Sequence, residues 1–211
     1  MHFMVLLLLW LNYFVYLLDP AIVFEYLKSL YSTILLRDVV SRANIRNVSL
    51  LENLVTYLAD NTGSLFAAQN VSKYLKSQQI SIPTQSVINY LRALTNTYFI
   101  HKVSRADIQG LKIFEIGEKF YFEDLGLRNC IRPFNYRGDI GKLMENAVYL
   151  HLLRNGYKVY VGKSGDKEID FMAEKNGERV TQKYIQGYQA GPVKILFAGG
   201  HINFNGRLLR G

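Results

Sequence analysis

A chain of 211 residues has room for one or two domains. Hydrophobic residues make up 49% of it and charged residues only 20%, which excludes a disordered or low-complexity polypeptide. The formal net charge of +8 favours an anionic partner. Half of that charge (Lys183, Lys194, Arg207 and Arg210) falls in an acid-free tail over residues 181–211, which leaves the middle of the chain only mildly basic.

Met1–Leu18 contains no Asp, Glu, Lys or Arg. As a helix it would reach roughly 27 Å, slightly short of a ~30 Å hydrocarbon core. It lacks the basic start and small-residue cleavage site of a signal peptide. Two readings stand for it, a membrane anchor and a buried or aberrant N-terminus. The single cysteine, Cys130, excludes an internal disulfide and any multi-cysteine zinc site, and it points to a reducing compartment. The expected localisation is therefore cytoplasmic, with anchoring through Met1–Leu18 as the alternative.

From Asp19 the texture becomes that of a globular protein. Asp19-Pro20 reads as a cap with Pro at the first helical position, opening a helix towards Val40 with Ile22, Tyr26, Leu30 and Ile34 as its apolar stripe. A second helix buries Leu51, Leu54, Val55 and Leu58, and Asn61-Thr62-Gly63 stops it. Phe66–Ser77 places Ala67, Val71, Tyr74 and Leu75 on one helical face. Ile80-Ser81-Ile82-Pro83 interrupts, and Thr84–Thr97 forms another helix with Val87, Leu91, Leu94 and Tyr98 inward. Short strands follow at Phe99–Val103 and Lys112–Ile116, with Lys119–Glu123 as a possible third. Helix, tight turn, helix and β-hairpin is the order of a winged helix.

The outward face of the second of these helices reads Gln85, Asn89, Arg92 and Asn96. Gln, Asn and Arg can make paired hydrogen bonds to base edges in a major groove. The hairpin adds Lys102, Arg105 and Lys112 for phosphates. The alternatives are a solvated helix face or a module that docks a protein partner.

After Pro133 a new unit begins. Its helix carries Glu145 with Leu143, Ala147, Leu150 and Leu153, and Asn155-Gly156 ends it. Strands follow at Tyr157–Val161 and Glu168–Ala173, the latter with Ile169, Phe171 and Ala173 on one face and Asp170 on the other. Asn176-Gly177 signals a two-residue hairpin turn. That turn fixes the register: 175 faces 178, 173 faces 180, and Asp170 faces Lys183. A helix glutamate beside a strand aspartate is how a Mg²⁺ site for phosphodiester cleavage is assembled, provided a further oxygen ligand completes it. Here an ammonium stands opposite Asp170, so the local expectation is an ion pair.

The stretches Leu36-Arg37-Asp38-Val39-Val40-Ser41-Arg42, Gly141-Lys142-Leu143-Met144-Glu145-Asn146 and Lys167-Glu168-Ile169-Asp170-Phe171 resemble a known group. They are similar to the C-terminal half of bacterial and archaeal AAA+-type ATP-binding proteins, which contains a winged-helix part and a PD-(D/E)XK nuclease-like part. The resemblance covers roughly residues 21–180. It implies that Glu145 and Asp170 are the catalytic and metal-binding carboxylates of the nuclease-like site. It also implies a Tyr-Ile-Gln-Val strand whose Gln would fall at 183. The chain has Tyr184-Ile185-Gln186 instead, an odd shift that moves a strand side chain to the other face. No G-x-x-x-x-G-K-S/T phosphate loop occurs, so ATP belongs only to an absent N-terminal module.

The expectation is thus an α+β protein. An apolar segment (1–18) precedes a helical and winged-helix-like module (19–132), then an incomplete restriction-endonuclease-like α/β domain (133–183) and an irregular basic Gly-rich tail (184–211). The expected role is that of a truncated, DNA-associated, non-catalytic fragment, with no cofactor of its own. Alternatives are a Mg²⁺-dependent nuclease using Glu145 and Asp170, and a membrane-anchored interaction protein.

Overall fold

The computed structural model describes residues 19–107, 113–164, 167–176, 178–182, 194–197, 200–203 and 208–209. Helix α1 (Pro20–Thr33) starts where expected, with Asp19 Oδ1 accepting from the Ala21 amide at 2.8 Å and Pro20 in the first turn. It continues without a break through a π-helical stretch, Ile34–Val40, and a last turn, Ser41–Ala43, and Asn44 ends it in the left-handed conformation. Leu30 and Ile34 of the expected stripe pack against the core together with Leu27, Tyr31, Leu35 and Val39, whereas Ile22 and Tyr26 are exposed. The expected stripe is corrected for a physical reason. Ile22 and Tyr26 stand in the first turns of α1, before the helix comes against the apolar cluster that Leu27 and the later residues join.

Helix α2 (Val48–Asp60) is capped by Asn47, whose Oδ1 accepts from the Leu50 amide at 3.0 Å. It buries Leu51, Leu54, Val55 and Leu58 as expected. The chain then turns at Gly63, which has φ +72°, and runs extended to Phe66, which pairs antiparallel with Glu118. Helices α3 (Ala68–Ser77) and α4 (Thr84–Asn96) follow, and Ser72 Oγ ties them by donating to the Ile82 carbonyl at 2.7 Å. Val71, Leu75, Val87, Leu91 and Leu94 are buried, but Ala67, Tyr74 and Tyr98 are exposed. Ala67 is still extended backbone before α3, and Tyr98 is turned out by its own positive φ at the entry to β1. Tyr74 lies on the surface against the Tyr57 ring.

Strands β1 (Ile100–Asp107) and β2 (Ile113–Phe122) form the hairpin, so the two expected segments at 112–116 and 119–123 are one strand. Helices α5 (Leu125–Ile131) and α6 (Tyr136–Arg154) lead to β3 (Lys158–Ser164), β4 (Lys167–Lys175) and β5 (Glu178–Gln182). Leu153 of α6 is partly exposed, and Val148, Tyr149 and Leu152 are buried on the inward face. Three short strands, β6 (Lys194–Phe197), β7 (Gly200–Asn203) and β8 (Leu208–Leu209), extend the sheet in the order β2-β1-β3-β4-β5-β6-β7-β8. The β1–β3 pairing is parallel and the others are antiparallel, so the architecture is α+β with a mixed sheet. The first hairpin and the carboxylate-bearing hairpin therefore belong to one sheet.

The Asn-Gly corner sets the register as its length dictates: Lys175 faces Glu178, Ala173 faces Val180, and Phe171 faces Gln182. The expected partner of Asp170, Lys183, lies outside the described residues. A large apolar cluster joins the helices α1 to α5 with Phe99, Ile100, Phe120 and Phe122. A second packs α6 on the sheet through Val103, Tyr121, Val161, Phe171 and Ala173, and Ala106, Tyr160 and Met172 form a third. Phe171 and Met172 thus point to opposite sides of the sheet, and both are buried. Among the described residues no helix is long and apolar enough to cross a membrane. Met1–Leu18, the segment read as a possible anchor, lies outside them.

Candidate functional site

Glu145 and Asp170 come together. With Thr62, Gly63, Ser64 and Lys142 they line a cavity of about 240 Å³ where α6, β4 and the segment after α2 meet. The placement of Glu145 follows from its neighbour. Asn146 is fully buried, accepts from the Phe122 amide at 2.8 Å and donates to the Phe122 carbonyl at 2.9 Å. This side chain substitutes for a strand at the outer edge of β2 and so fixes the rotation of α6. Gly63 and Phe66 cover the same edge further along, by donating to the Phe120 and Glu118 carbonyls. Gly63 is required twice over: its φ is left-handed, and a Cβ there would stand 3.2 Å from the Glu145 carboxylate.

One oxygen of Glu145 is already engaged inside the protein. Oε1 accepts from Lys119 Nζ at 3.0 Å and from the Tyr121 hydroxyl at 2.6 Å. Lys119 and Tyr121 are i, i+2 on β2, hence on one face, and both are buried. Burial pushes the Glu145 carboxyl up, and nearby Asp170 adds to the rise. Lys119 and the Tyr121 hydroxyl oppose it, but the net direction is upward. A Mg²⁺ ion takes octahedral oxygen ligands at short range. One or two carboxylates with waters and a substrate phosphate commonly complete that set. Here Oε1 of Glu145 is held by Lys119 and Tyr121, and among the described residues no group of three His, Cys, Asp or Glu is placed to hold a metal. The Lys119 ammonium competes with any cation for the Glu145 carboxylate.

The second expected site is the exposed side of α4. Gln85, Asn89, Arg92 and Asn96 are all solvent-exposed, as expected, and Gln85 donates to Asn89 at 3.2 Å. Lys102 is half-exposed and its ammonium pairs with Glu118 at 2.8 Å across the hairpin. Arg105 is partly buried, with its Nε enclosed and without a hydrogen-bond partner. The side chain of Lys112 lies outside the described residues.

Lys119, Tyr121, Lys142 and the Thr62–Ser64 backbone were not among the expected site residues. The alternation of Lys119 and Tyr121 is present in the segment Lys119–Glu123 expected as a strand, but their partner on the later helix is not. A further signal on α4 was also present in the sequence. No Asp or Glu occurs between Asp60 and Asp107, whereas Lys73, Lys76, Arg92, Lys102 and Arg105 do.

A family model described as a domain of unknown function, DUF8612, matches residues 15–137. An uncharacterized protein of Haemophilus influenzae is 33% identical over 153 residues, which is 72% of this chain and 38% of that protein. An uncharacterized protein of Methanocaldococcus jannaschii is 27% identical over 158 residues, 73% of this chain and 35% of that protein. The chain therefore spans little more than a third of the length of either relative. No solved structure matches it.

Proposed function

This chain belongs to the DUF8612 family, and from that premise we propose that it associates with duplex DNA through α4 and carries a nuclease-like pocket that does not catalyse. The observation that carries the first part is the path of the chain from α2 to β2. A helix, an extended step at Phe66, two helices joined by a tight turn and a hairpin follow in order, and Phe66 pairs with the second strand of the hairpin. This order supports the winged-helix reading, in which α4 takes the part of the helix that enters the major groove. The acid-free run from 61 to 106 gives this part a positive field, and Gln85, Asn89, Arg92 and Asn96 offer base-reading side chains. The resemblance to AAA+-type ATP-binding proteins belongs to the same proposal. In that reading any ATP site lies in a further module, and the protein works in the cytoplasm.

Fluorescence anisotropy with a labelled duplex tests it. Binding is expected at low salt and falls steeply as salt rises, because Lys and Arg displace counterions from phosphates. Arg92→Ala weakens binding by about tenfold, the scale of one lost guanidinium contact of about 1–3 kcal/mol. Binding that is absent at low salt, or unaffected by substitutions along α4, refutes the reading.

The absence of catalysis rests on Lys119. A plasmid-nicking assay with Mg²⁺ or Mn²⁺ is expected to give no cleavage above background. Metal-dependent cleavage that disappears in Asp170→Ala would show that the two carboxylates do assemble a working centre.

A further inference from the structure

A separate cavity of about 490 Å³ opens between the start of α3, one side of α4 and the hairpin. Its volume falls in the range of about 300–1,000 Å³ typical of small-molecule sites. Its floor is apolar. Phe66 and Phe120 meet edge to face with ring centroids 4.8 Å apart, Leu91 is buried beside them, and Ile88 stands at the mouth with 38% of its surface exposed. Three charged side chains line it: Arg92, Lys102 and Glu118. Lys102 and Glu118 neutralise each other at 2.8 Å. The Arg92 guanidinium has neither an ion pair nor a hydrogen bond among the described residues. The cavity thus pairs an apolar floor with one uncompensated cation at its rim.

We propose that this groove binds a small apolar carboxylate, an aliphatic or aromatic acid whose hydrocarbon part covers Ile88, Leu91, Phe66 and Phe120 while its carboxylate meets Arg92. An apolar molecule without charge leaves the guanidinium uncompensated. A highly charged one forfeits the floor. Arg92 also belongs to the face proposed for DNA, so the acid and the duplex compete for it, and each lowers the affinity for the other by the same factor. This competition rests on the DNA reading. The binding of the acid does not.

Isothermal titration of the full chain with decanoate, with decanol as the uncharged counterpart, tests the site directly. Decanoate is expected to bind saturably at one site per chain, and decanol at least tenfold more weakly. Arg92→Gln reduces decanoate affinity about tenfold, the low end of what a charge-assisted hydrogen bond contributes. Ile88→Glu, a change at an exposed position that leaves the core intact, abolishes it. Decanol binding equal to decanoate, or decanoate binding unchanged in both variants, overturns the proposal and reassigns the groove to an uncharged partner or to the chain's own apolar segment. A second readout is displacement of the labelled duplex. Decanoate that binds in the calorimeter without displacing the duplex refutes the competition alone. A chain that binds decanoate but no DNA refutes the DNA reading and leaves the acid site standing.

Discussion

Asp139→Ala is expected to destabilise the fold by about 3–5 kcal/mol, the cost of leaving one member of a buried ion pair alone. Arg128 is completely buried. Its Nε donates to the Ala59 carbonyl at 3.0 Å and its Nη1 to Asp139 Oδ2 at 3.3 Å, while Nη2 lies 3.2 Å from Oδ1 as an ion-pair contact. Asp139 also accepts from the Asn135 amide at 3.0 Å. The pair therefore joins α5, the start of α6 and the end of α2 at one point. A guanidinium cannot discharge itself, so removing Asp139 strands a cation in the interior. The reverse change, Arg128→Met, costs less. Met keeps much of the stem's volume, and the remaining carboxylate retains the Asn135 amide and Lys142 at 3.8 Å. Urea denaturation of the two variants checks the order. Equal losses, or losses under about 1 kcal/mol for Asp139→Ala, would show that the pair is not what holds these helices together.

The same pair has a pH signature. Burial by itself would raise the Asp139 carboxyl, but the Asn135 amide, Arg128 and Lys142 outweigh it and hold it below the ordinary value. A carboxyl depressed in the fold contributes stability that is fully present above its unfolded pKa and is lost as pH falls through the folded one. Wild type should therefore lose stability in acid more steeply than Asp139→Ala does.

Local signals were legible in the sequence, and long-range ones were not. Asp19-Pro20, Asn61-Thr62-Gly63 and Asn176-Gly177 act within a few residues of themselves, and helix starts, stops and the hairpin register follow from them directly. Glu145 and Asp170 were singled out by the helix-then-hairpin pattern and by resemblance, and the structure brings them to one cavity. What surrounds them was hidden because it depends on distant partners. Strand β2 stays continuous through Gly117 because Gly63 and Phe66, some 50 residues upstream, pair with its outer edge. The expected segment Lys119–Glu123 already puts Lys119 and Tyr121 on one face, but nothing in it reveals that this face meets Glu145. Charge is a poor guide for the same reason. Arg128 and Lys119 are interior because carboxylates on α6 receive them, which no local pattern announces. Periodicity misplaced Ile22 and Tyr26 because it does not show where along the helix the apolar cluster begins.

The second large effect concerns the carboxylate pocket itself. Lys119→Met is expected to cost about 3 kcal/mol or more near pH 8, since it leaves the buried Glu145 carboxylate without its ammonium. The loss shrinks in acid, with the sign set by the direction of the shift. The Glu145 carboxyl is already raised by burial, and without Lys119 it rises further. Between its unfolded and folded pKa values the folded state holds a proton that the unfolded chain has released, so stability falls as pH rises through that window. The double variant Lys119→Met/Glu145→Gln removes both charges, and Gln can still accept from the Tyr121 hydroxyl, so most of the stability returns and the pH dependence disappears. A double-mutant cycle at two pH values measures the coupling. Losses that simply add would show that the two side chains do not act as a pair. Strong coupling, together with a wild-type Tm that Mg²⁺ and Mn²⁺ leave unchanged, would mean that the carboxylate on α6 is neutralised by the protein's own lysine, which is the physical reason to expect the pocket to be silent in phosphodiester cleavage.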